Sequence, residues 1–420
     1  MNKVRYSIIL PTRNGMPYVI DAIDSVLSCD SNDFELIVSD DSSEDGTFEY
    51  ISKLSDPRLK VFRPDKRLSV SEHWEFALSK SSGEWRMFIG QDDAIQPYFF
   101  QHADQITELA SDRGIRAVCS RRAYLFWPGC EEDYPFRAHF YAANSTSIRG
   151  SVYSTIGSLF GQRPYHELPQ MYTNSIFHES LISDARTMQG GRVFVSHPQD
   201  SNLAAIALTI DRKFLRTEVP FGWVGTSPSS AGLAISKRAE GKASHSAEGL
   251  AADYNSGVSK SPIEYPDYAG SFGFGDTSVY FWQSLRQAST YLGGRYAFLN
   301  NRLVTWVFLA MVWSKILSRK SRFERKKAFF ELVMANGFSF QYISIVSSLI
   351  RGIFRFMGLI REAATGVITK SSGTSLGPIQ GFNVLASSSK ELNLKEISKK
   401  ALEIYGQMYG KENISGTKLP

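Results

Sequence analysis

The chain is 420 residues long, with 43% hydrophobic, 13% aromatic and 21% charged residues, values that fit a globular protein of two or three units and exclude disorder as the default. Three cysteines, Cys29, Cys119 and Cys130, lack C-x-x-C spacing, which argues against both a disulfide framework and a structural zinc. The formal charge of +5 is uneven, because residues 302–370 hold twelve Lys or Arg against three Glu and leave the remainder mildly acidic.

The first residues run straight into a strand-like stretch with no apolar leader, so a cytoplasmic location is expected. Val4–Leu10 is an apolar strand, Pro11-Thr-Arg-Asn-Gly a turn, and Tyr18–Leu27 a helix by its apolar spacing. Phe34–Val38 predicts a second strand entering the polar turn Ser39–Thr47, after which Phe48, Ile51 and Leu54 restart a helical stripe. Leu59–Phe62 is a third strand, Val70–Leu78 a helix and Trp85–Ile89 the central strand, followed by a helix over 97–112 and a strand over Ile115–Cys119. This alternation implies a mostly parallel sheet with right-handed crossovers, a nucleotide-binding type of α/β domain.

From Arg121 to about Arg163 the pattern breaks into an aromatic-rich region that reads as loops or a hairpin bordering an acceptor cleft. Ile176–Met188 is expected as a helix, Arg192–Ser196 as a strand, Gln199–Leu208 as a helix and Lys213–Val219 as a closing strand. These bounds give a domain over 1–235, divided into a nucleotide-binding half (1–120) and an acceptor half (121–235). A lid or linker (236–300), a basic apolar helical region (301–365) and a Ser-rich spacer with a short helix (366–420) follow.

The chemistry concentrates in two acidic turns at strand ends, Ser39-Asp40-Asp41-Ser-Ser-Glu-Asp45-Gly-Thr47 and Gln91-Asp92-Asp93. In an open α/β sheet the carboxyl edge is where ligands bind, and carboxylates there suit a hard divalent cation carrying phosphates. Together with Ile8-Ile-Leu-Pro-Thr-Arg-Asn14, these turns resemble the family 2 inverting glycosyltransferases over roughly residues 4–210.

That resemblance implies a GT-A fold, the Rossmann-like nucleotide-diphospho-sugar transferase sheet, with a C-terminal helical extension. It also implies transfer of a sugar from a nucleotide diphosphate, UDP being the expected donor, onto a polysaccharide or lipid-linked acceptor in bacterial surface polysaccharide synthesis. Asp40 would accept the uracil imide N–H, with Pro11, Thr12 and Arg13 lining the nucleoside. Asp93 would hold Mg²⁺ or Mn²⁺ on the diphosphate, Asp92 the ribose or a metal-bound water, and Asp200 would act as the base for the acceptor hydroxyl, its alternative being a helix N-cap. Two departures stand out. The first acidic position of an Asp-x-Asp motif is Gly90, and the family's Arg-Asn before the central strand is replaced by His73-Trp74-Glu75, leaving Lys66 or Arg67 to meet the diphosphate. His166, His178 and His197 read as structural residues.

The apolar Asn301–Leu317 and Phe338–Ile360 flank the basic Lys315–Lys327 and admit two readings, a helical bundle packed on the domain or attachment to an anionic membrane surface. Nothing resembles a nucleic-acid module. A catalytically silent scaffold and a sugar-phosphate nucleotidyltransferase are the rival functions, the latter lacking its Gly-rich phosphate loop here.

Overall fold

The computed structural model describes residues 4–134, 136–160, 162, 164–195, 197–230, 233, 277–318, 323–341, 343, 379–385 and 393–409. Its first half follows the expected order: β1 (Tyr6–Thr12), α1 (Tyr18–Leu27), β2 (Phe34–Asp40), α2 (Thr47–Ile51), β3 (Leu59–Phe62), α3 (Val70–Ser79), β4 (Trp85–Phe88), β5 (Ala94–Ile95), α4 (Phe99–Ser111) and β6 (Ala117–Ser120). β1 pairs in parallel with β2 and β4, and β2 with β3. Parallel strands are covered on both faces, which is why they read as unbroken apolar runs. Ile8, Leu10, Leu36 and Val38 pack with Val19, Ile23 and Val26 of α1 and with Phe99 and Phe100 of α4. Ile9, Ile37 and Phe88 serve the opposite layer. α3 starts with a capping box, in which the Ser69 Oγ accepts from the Glu72 N–H at 3.3 Å and Glu72 accepts from the Ser69 N–H at 3.1 Å.

The second half departs from the sequence reading in several places. Ile176–Met188, expected as one helix, divides at His178 into β10 (Ser175–His178) and α6 (Glu179–Met188). β10 inserts antiparallel between β4 and β6, so pairing partners far along the chain override a local helical spacing. Of Arg192–Ser196, expected as a strand, the described residues 192–195 join no ladder. The N–H groups of Val193 and Phe194 instead donate to Glu75 Oε2 at 2.8 and 3.2 Å, and that of Val195 to Asn202 Oδ1 at 2.9 Å. Side-chain acceptors thus satisfy a buried apolar backbone that a neighbouring strand does not reach.

The region 121–163, expected as loops or a hairpin, holds β7 (Ala123–Phe126), β8 (Phe136–Ala142), β9 (Thr146–Gly150) and α5 (Ser151–Leu159). β7 and β8 do form an antiparallel pair, and β9 is the edge strand beside β11 (Lys213–Thr217). α7 (Gln199–Ile210) precedes β11, and β12 (Gly222–Thr226) follows it. The result is an eight-stranded sheet, β3-β2-β1-β4-β10-β6-β11-β9, and a five-stranded sheet, β13-β8-β7-β12-β5. β13 (Gln380–Leu385) falls inside the stretch read as a Ser-rich spacer and pairs with β8.

Residues 277–300, read as part of a lid or linker, form α8 (Thr277–Leu292) and a 3-10 turn (Gly294–Asn300) within the main core. The Gly- and Ser-rich 236–270, with Lys237 and Arg238, lies outside the described residues. α9 (Arg302–Ser318) packs its Phe308–Trp313 stretch inward while Leu303 and Val307 stay exposed: Phe308 stacks on Trp282 with ring centroids 4.5 Å apart, and Trp313 stacks on Phe329 of α10 (Phe323–Ala335) at 5.0 Å. Most of Phe338–Ile360 and Arg319, Lys320 and Arg322 of the basic block lie outside the described residues, among which no helix is long and apolar enough to cross a membrane. α11 (Leu394–Tyr409) is amphipathic as expected, and its Ile397, Ala401, Leu402 and Tyr405 cover the second sheet against Ala94, Phe140 and Trp223.

Tyr405 is fully buried and stacks on Tyr98 at 4.2 Å, nearly coplanar, so it ties the C-terminal helix to the start of α4. Tyr405→Ala is expected to lower unfolding free energy by about 3–5 kcal/mol, as for other large aromatic truncations. Urea denaturation followed by tryptophan fluorescence reads this, and a loss under about 1 kcal/mol contradicts the packing described.

Candidate active site

The carboxyl ends of β1, β2 and β4 form one edge, and the loops there are tied to each other. Asn14 N–H donates to Ser43 Oγ at 2.8 Å, Glu44 N–H to Asn14 Oδ1 at 2.9 Å, and Gly15 N–H to Thr47 Oγ1 at 2.9 Å. Thr12 Oγ1 and Arg13 N–H both donate to Gln91 Oε1, at 2.8 and 3.1 Å, which joins the loop after β1 to the acidic turn after β4. Asp41 accepts from Leu68 N–H at 2.9 Å, and Asp45 accepts from Thr47 Oγ1 at 2.6 Å and Met16 N–H at 2.9 Å. These two carboxylates brace the turn. Arg13 and Arg67 both hold the Asp41 carboxyl down electrostatically against the upward push of burial, so they converge on this turn although Arg67 is itself exposed. Lys66 is exposed, and Pro11 is half-buried beside Ser39 of β2.

Asp40 ends β2 and is completely buried. Its Oδ2 accepts from Ser43 N–H at 3.2 Å and lies 3.5 Å from Arg63 Nε, while Oδ1 has no hydrogen-bond partner among the described residues. A buried acceptor left open is costly, and an N–H donor from a ligand would relieve it.

Asp92 and Asp93 sit in different surroundings. Asp93 Oδ2 accepts from Gly90 N–H at 2.7 Å and from the Thr173 hydroxyl, and its Oδ1 accepts from Gly225 N–H at 2.6 Å. The sequence reading made Asp93 the metal ligand; both of its oxygens accept protein donors here, and it is 1% exposed. Around Asp92, the Ser227 N–H and Oγ donate to Oδ2 at 3.1 and 2.8 Å together with the Ser230 hydroxyl, while Oδ1 takes none of these donors. Asp92 is also the more exposed, at 9%. No cluster of three or more His, Cys, Asp or Glu able to hold a metal occurs among the described residues. A magnesium-type cation that takes most of its ligands from phosphates and water needs only one or two carboxylates, and Asp92 fits that demand better than Asp93.

Gly90 explains its own departure from Asp-x-Asp: a Cβ there would overlap the Tyr172 hydroxyl and press on Asp93 Oδ2. Tyr172 stacks on Trp74 at 5.8 Å, and its phenol is kept protonated, well above the usual range, by burial and then by the charges of Asp93, Asp92 and Asp200. Two of these carboxylates lie in the turn after β4 and one in the first turn of α7, near enough to this hydroxyl to act on it electrostatically. Asp40 lies along the same edge two strands over, about 10 Å away at ordinary strand spacing.

Asp200 is in the first turn of α7, but Pro198 is the cap, so its N-cap alternative does not hold. Tyr165 Oη donates to its Oδ2 at 3.0 Å and Ser201 N–H to its Oδ1 at 2.8 Å. Burial raises its pKa, opposed chiefly by the nearby Arg122. His197 is buried, bonded to Ser71 and Gln199, and held neutral by burial with its pKa down to about 4. His166 is likewise driven down, to about 3, by burial and Arg122, and His178 caps α6 by accepting from Ser180 N–H at 3.2 Å, so all three histidines are structural. Ser227 and Ser230 belong to the polar loop Thr226–Gly232, which the sequence offered as a cover for the diphosphate, whereas Tyr165, Tyr172, Thr173 and Arg122 were not singled out, because the 3-10 turn at Tyr165–Glu167, the segment before β10 and the β6–β7 connection reach the site only in the fold.

Burial, then the neighbouring Asp92 charge, lifts the Asp93 carboxyl from its ordinary 3.8 to about 6, its three donors opposing. The folded state therefore keeps a proton that the unfolded chain has released between about pH 4 and 6, so this group's contribution to stability is full in acid and declines as pH rises through that window. In metal-free buffer the stability of the natural chain relative to Asp93→Asn is expected to grow as pH falls from 6.5 to 4, measured by denaturant titration. A flat or reversed difference contradicts this.

Residues 7–124 match the model of the family described as Glycosyl transferase family 2. Over 94 residues, 22% of this chain and 30% of the relative, the chain is 33% identical to the GalNAc(5)-diNAcBac-PP-undecaprenol beta-1,3-glucosyltransferase of Campylobacter jejuni. It is 31% identical over 93 residues, 22% of this chain and 37% of the relative, to the UDP-Glc:alpha-D-GlcNAc-diphosphoundecaprenol beta-1,3-glucosyltransferase WfgD of Escherichia coli. The chain thus spans about a third of the length of these curated relatives. Among solved structures it is similar to S. aureus TarS 1-349 in complex with UDP-GlcNAc, at 13% identity and a TM-score of 0.44, over 80% of this chain and 91% of that one. The parallel β3-β2-β1-β4 core, continued by β10 and β6 and carrying the family match, is the GT-A fold that the sequence implied. Over residues 7–124 the chain is thus similar to glycosyltransferase family 2.

Proposed function

We propose that the chain transfers a sugar from a nucleotide diphosphate, UDP in our reading, to the hydroxyl of a saccharide or lipid-linked saccharide with inversion at the anomeric carbon. The observation that supports this is the buried Asp40 Oδ1 left open to a donor at the carboxyl edge of the sheet, two strands from the turn that holds Asp92. The names of the two relatives supply the acceptor class, since both are described as acting on diphosphate-linked undecaprenol saccharides, and that of WfgD includes UDP-Glc.

In this reading the open Oδ1 of Asp40 accepts the uracil imide N–H, with Pro11, Thr12 and Arg13 around the nucleoside. Asp92 would hold Mg²⁺ or Mn²⁺ there, a cation that neutralises the diphosphate as it leaves. Asp200 takes the proton of the acceptor hydroxyl while the acceptor oxygen bonds to the anomeric carbon and the bond to the diphosphate oxygen breaks on the opposite face. Its raised pKa suits a general base, and the Tyr165 and Ser201 hydrogen bonds fix the direction in which its carboxylate points. Arg122 is a cation near the base that balances its charge before the acceptor arrives.

Two substitutions separate chemistry from binding. Asp200→Asn is expected to cut transfer from isotope-labelled UDP-sugar by about 10²- to 10⁴-fold with UDP binding unchanged by calorimetry. Asp40→Asn is expected to weaken UDP binding about tenfold. Full activity in Asp200→Asn removes the base assignment, and absence of turnover with any donor in the natural chain favours a silent scaffold instead.

A further inference from the structure

The helix α5 is built inside out. Its buried positions are Ser151, Ser154, Thr155, Gly157, Ser158 and Leu159, whereas Val152, Tyr153, Ile156 and the C-cap residue Phe160 are 49, 70, 48 and 45% exposed. Small inner residues let the helix lie close to α7 and α8, and Thr155 Oγ1 shares a 2.9 Å hydrogen bond with Tyr296 Oη beneath it. The large aliphatic and aromatic side chains are left pointing outward. Ile148 on the edge strand β9, 47% exposed, extends the same apolar face.

The surroundings of this face are positive. Not one Asp or Glu occurs from Tyr134 to His166. Ser151 N–H donates to the Arg212 carbonyl at 2.9 Å and Gly150 pairs with Lys213, so two exposed cations flank the start of the helix. An uncharged apolar face bearing Tyr and Phe, with a basic rim and no acidic neighbour along its own stretch, has the makeup of an element that lies in an anionic lipid interface. Phe160 is also only five residues before Tyr165, whose hydroxyl holds Asp200, so the face adjoins the site in the chain.

We infer that the α5 face, rather than the exposed Leu303 and Val307 of α9, is the surface by which this protein docks on an anionic lipid bilayer. The inference stands apart from sugar transfer, because binding is read without a donor. Co-sedimentation with phosphatidylglycerol-containing and pure phosphatidylcholine vesicles tests it, using the full chain at low and high salt. The natural chain should partition onto the anionic vesicles, and Tyr153→Asp with Ile156→Asp should lower that partition by about tenfold or more. Arg212→Gln with Lys213→Gln should lower it on anionic vesicles only, and Leu303→Asp on α9 should leave it unchanged. No binding by the natural chain, binding kept by the α5 variant, or an equal loss in Leu303→Asp overturns the assignment. So does a change in sedimentation mass of the α5 variant at unchanged lipid binding, which would make the face a self-association surface.

Discussion

One buried carboxylate holds the two sheets of this chain together at the site. Asp93 receives Gly90 N–H from the end of β4, Gly225 N–H from β12 and the Thr173 hydroxyl from the segment before β10. Burying a charge is expensive unless donors replace its water, and three donors from three segments do so here. The contact also sets a tight backbone crossing: a Cβ on Gly225 would run into the Asp92 carbonyl, so only glycine lets β12 come this near. Trp127 Nε1 then donates to that same carbonyl at 2.8 Å. The acidic turn is thus both a chemical site and the joint on which the second sheet hangs.

The joint divides labour between adjacent residues. Asp93 takes its donors from Gly90, Thr173 and Gly225, whereas Asp92 takes its own from Ser227 and Ser230. Tyr172 takes the space that a side chain at position 90 would need, putting a neutral hydroxyl where an Asp-x-Asp motif would add another charge. Fewer negative charges share the pocket, which limits the mutual repulsion of Asp92, Asp93 and Asp200.

The second half of the chain supports this arrangement from behind. α7 carries Asp200 in its first turn and buries nearly every later residue against α8 and the neighbouring helices, so the carboxylate rides on a rigid element. Tyr165, which fixes that carboxylate, stacks on Phe281 of α8 at 6.3 Å. α8 therefore stiffens the site through its contact with Tyr165.

Local sequence determined the first half of the molecule. Ile8–Leu10, Phe34–Val38 and Trp85–Phe88 are apolar runs long enough only for strands, each entering a polar turn, and a parallel sheet with ligand groups at its carboxyl edge follows from that periodicity. Asp92 and Asp93 stood out as carboxylates at a strand end, while the roles expected of Asp40 and Asp200 came from the family resemblance. Tertiary structure alone decided the rest. Ser175–His178 became a strand because β4 and β6 offer ladder partners on both sides, and Val193–Val195 did not because Glu75 and Asn202 satisfy its N–H groups first. The different donors that Asp92 and Asp93 receive likewise come from eighty or more residues away, at Thr173, Gly225, Ser227 and Ser230, and no window of local sequence contains them.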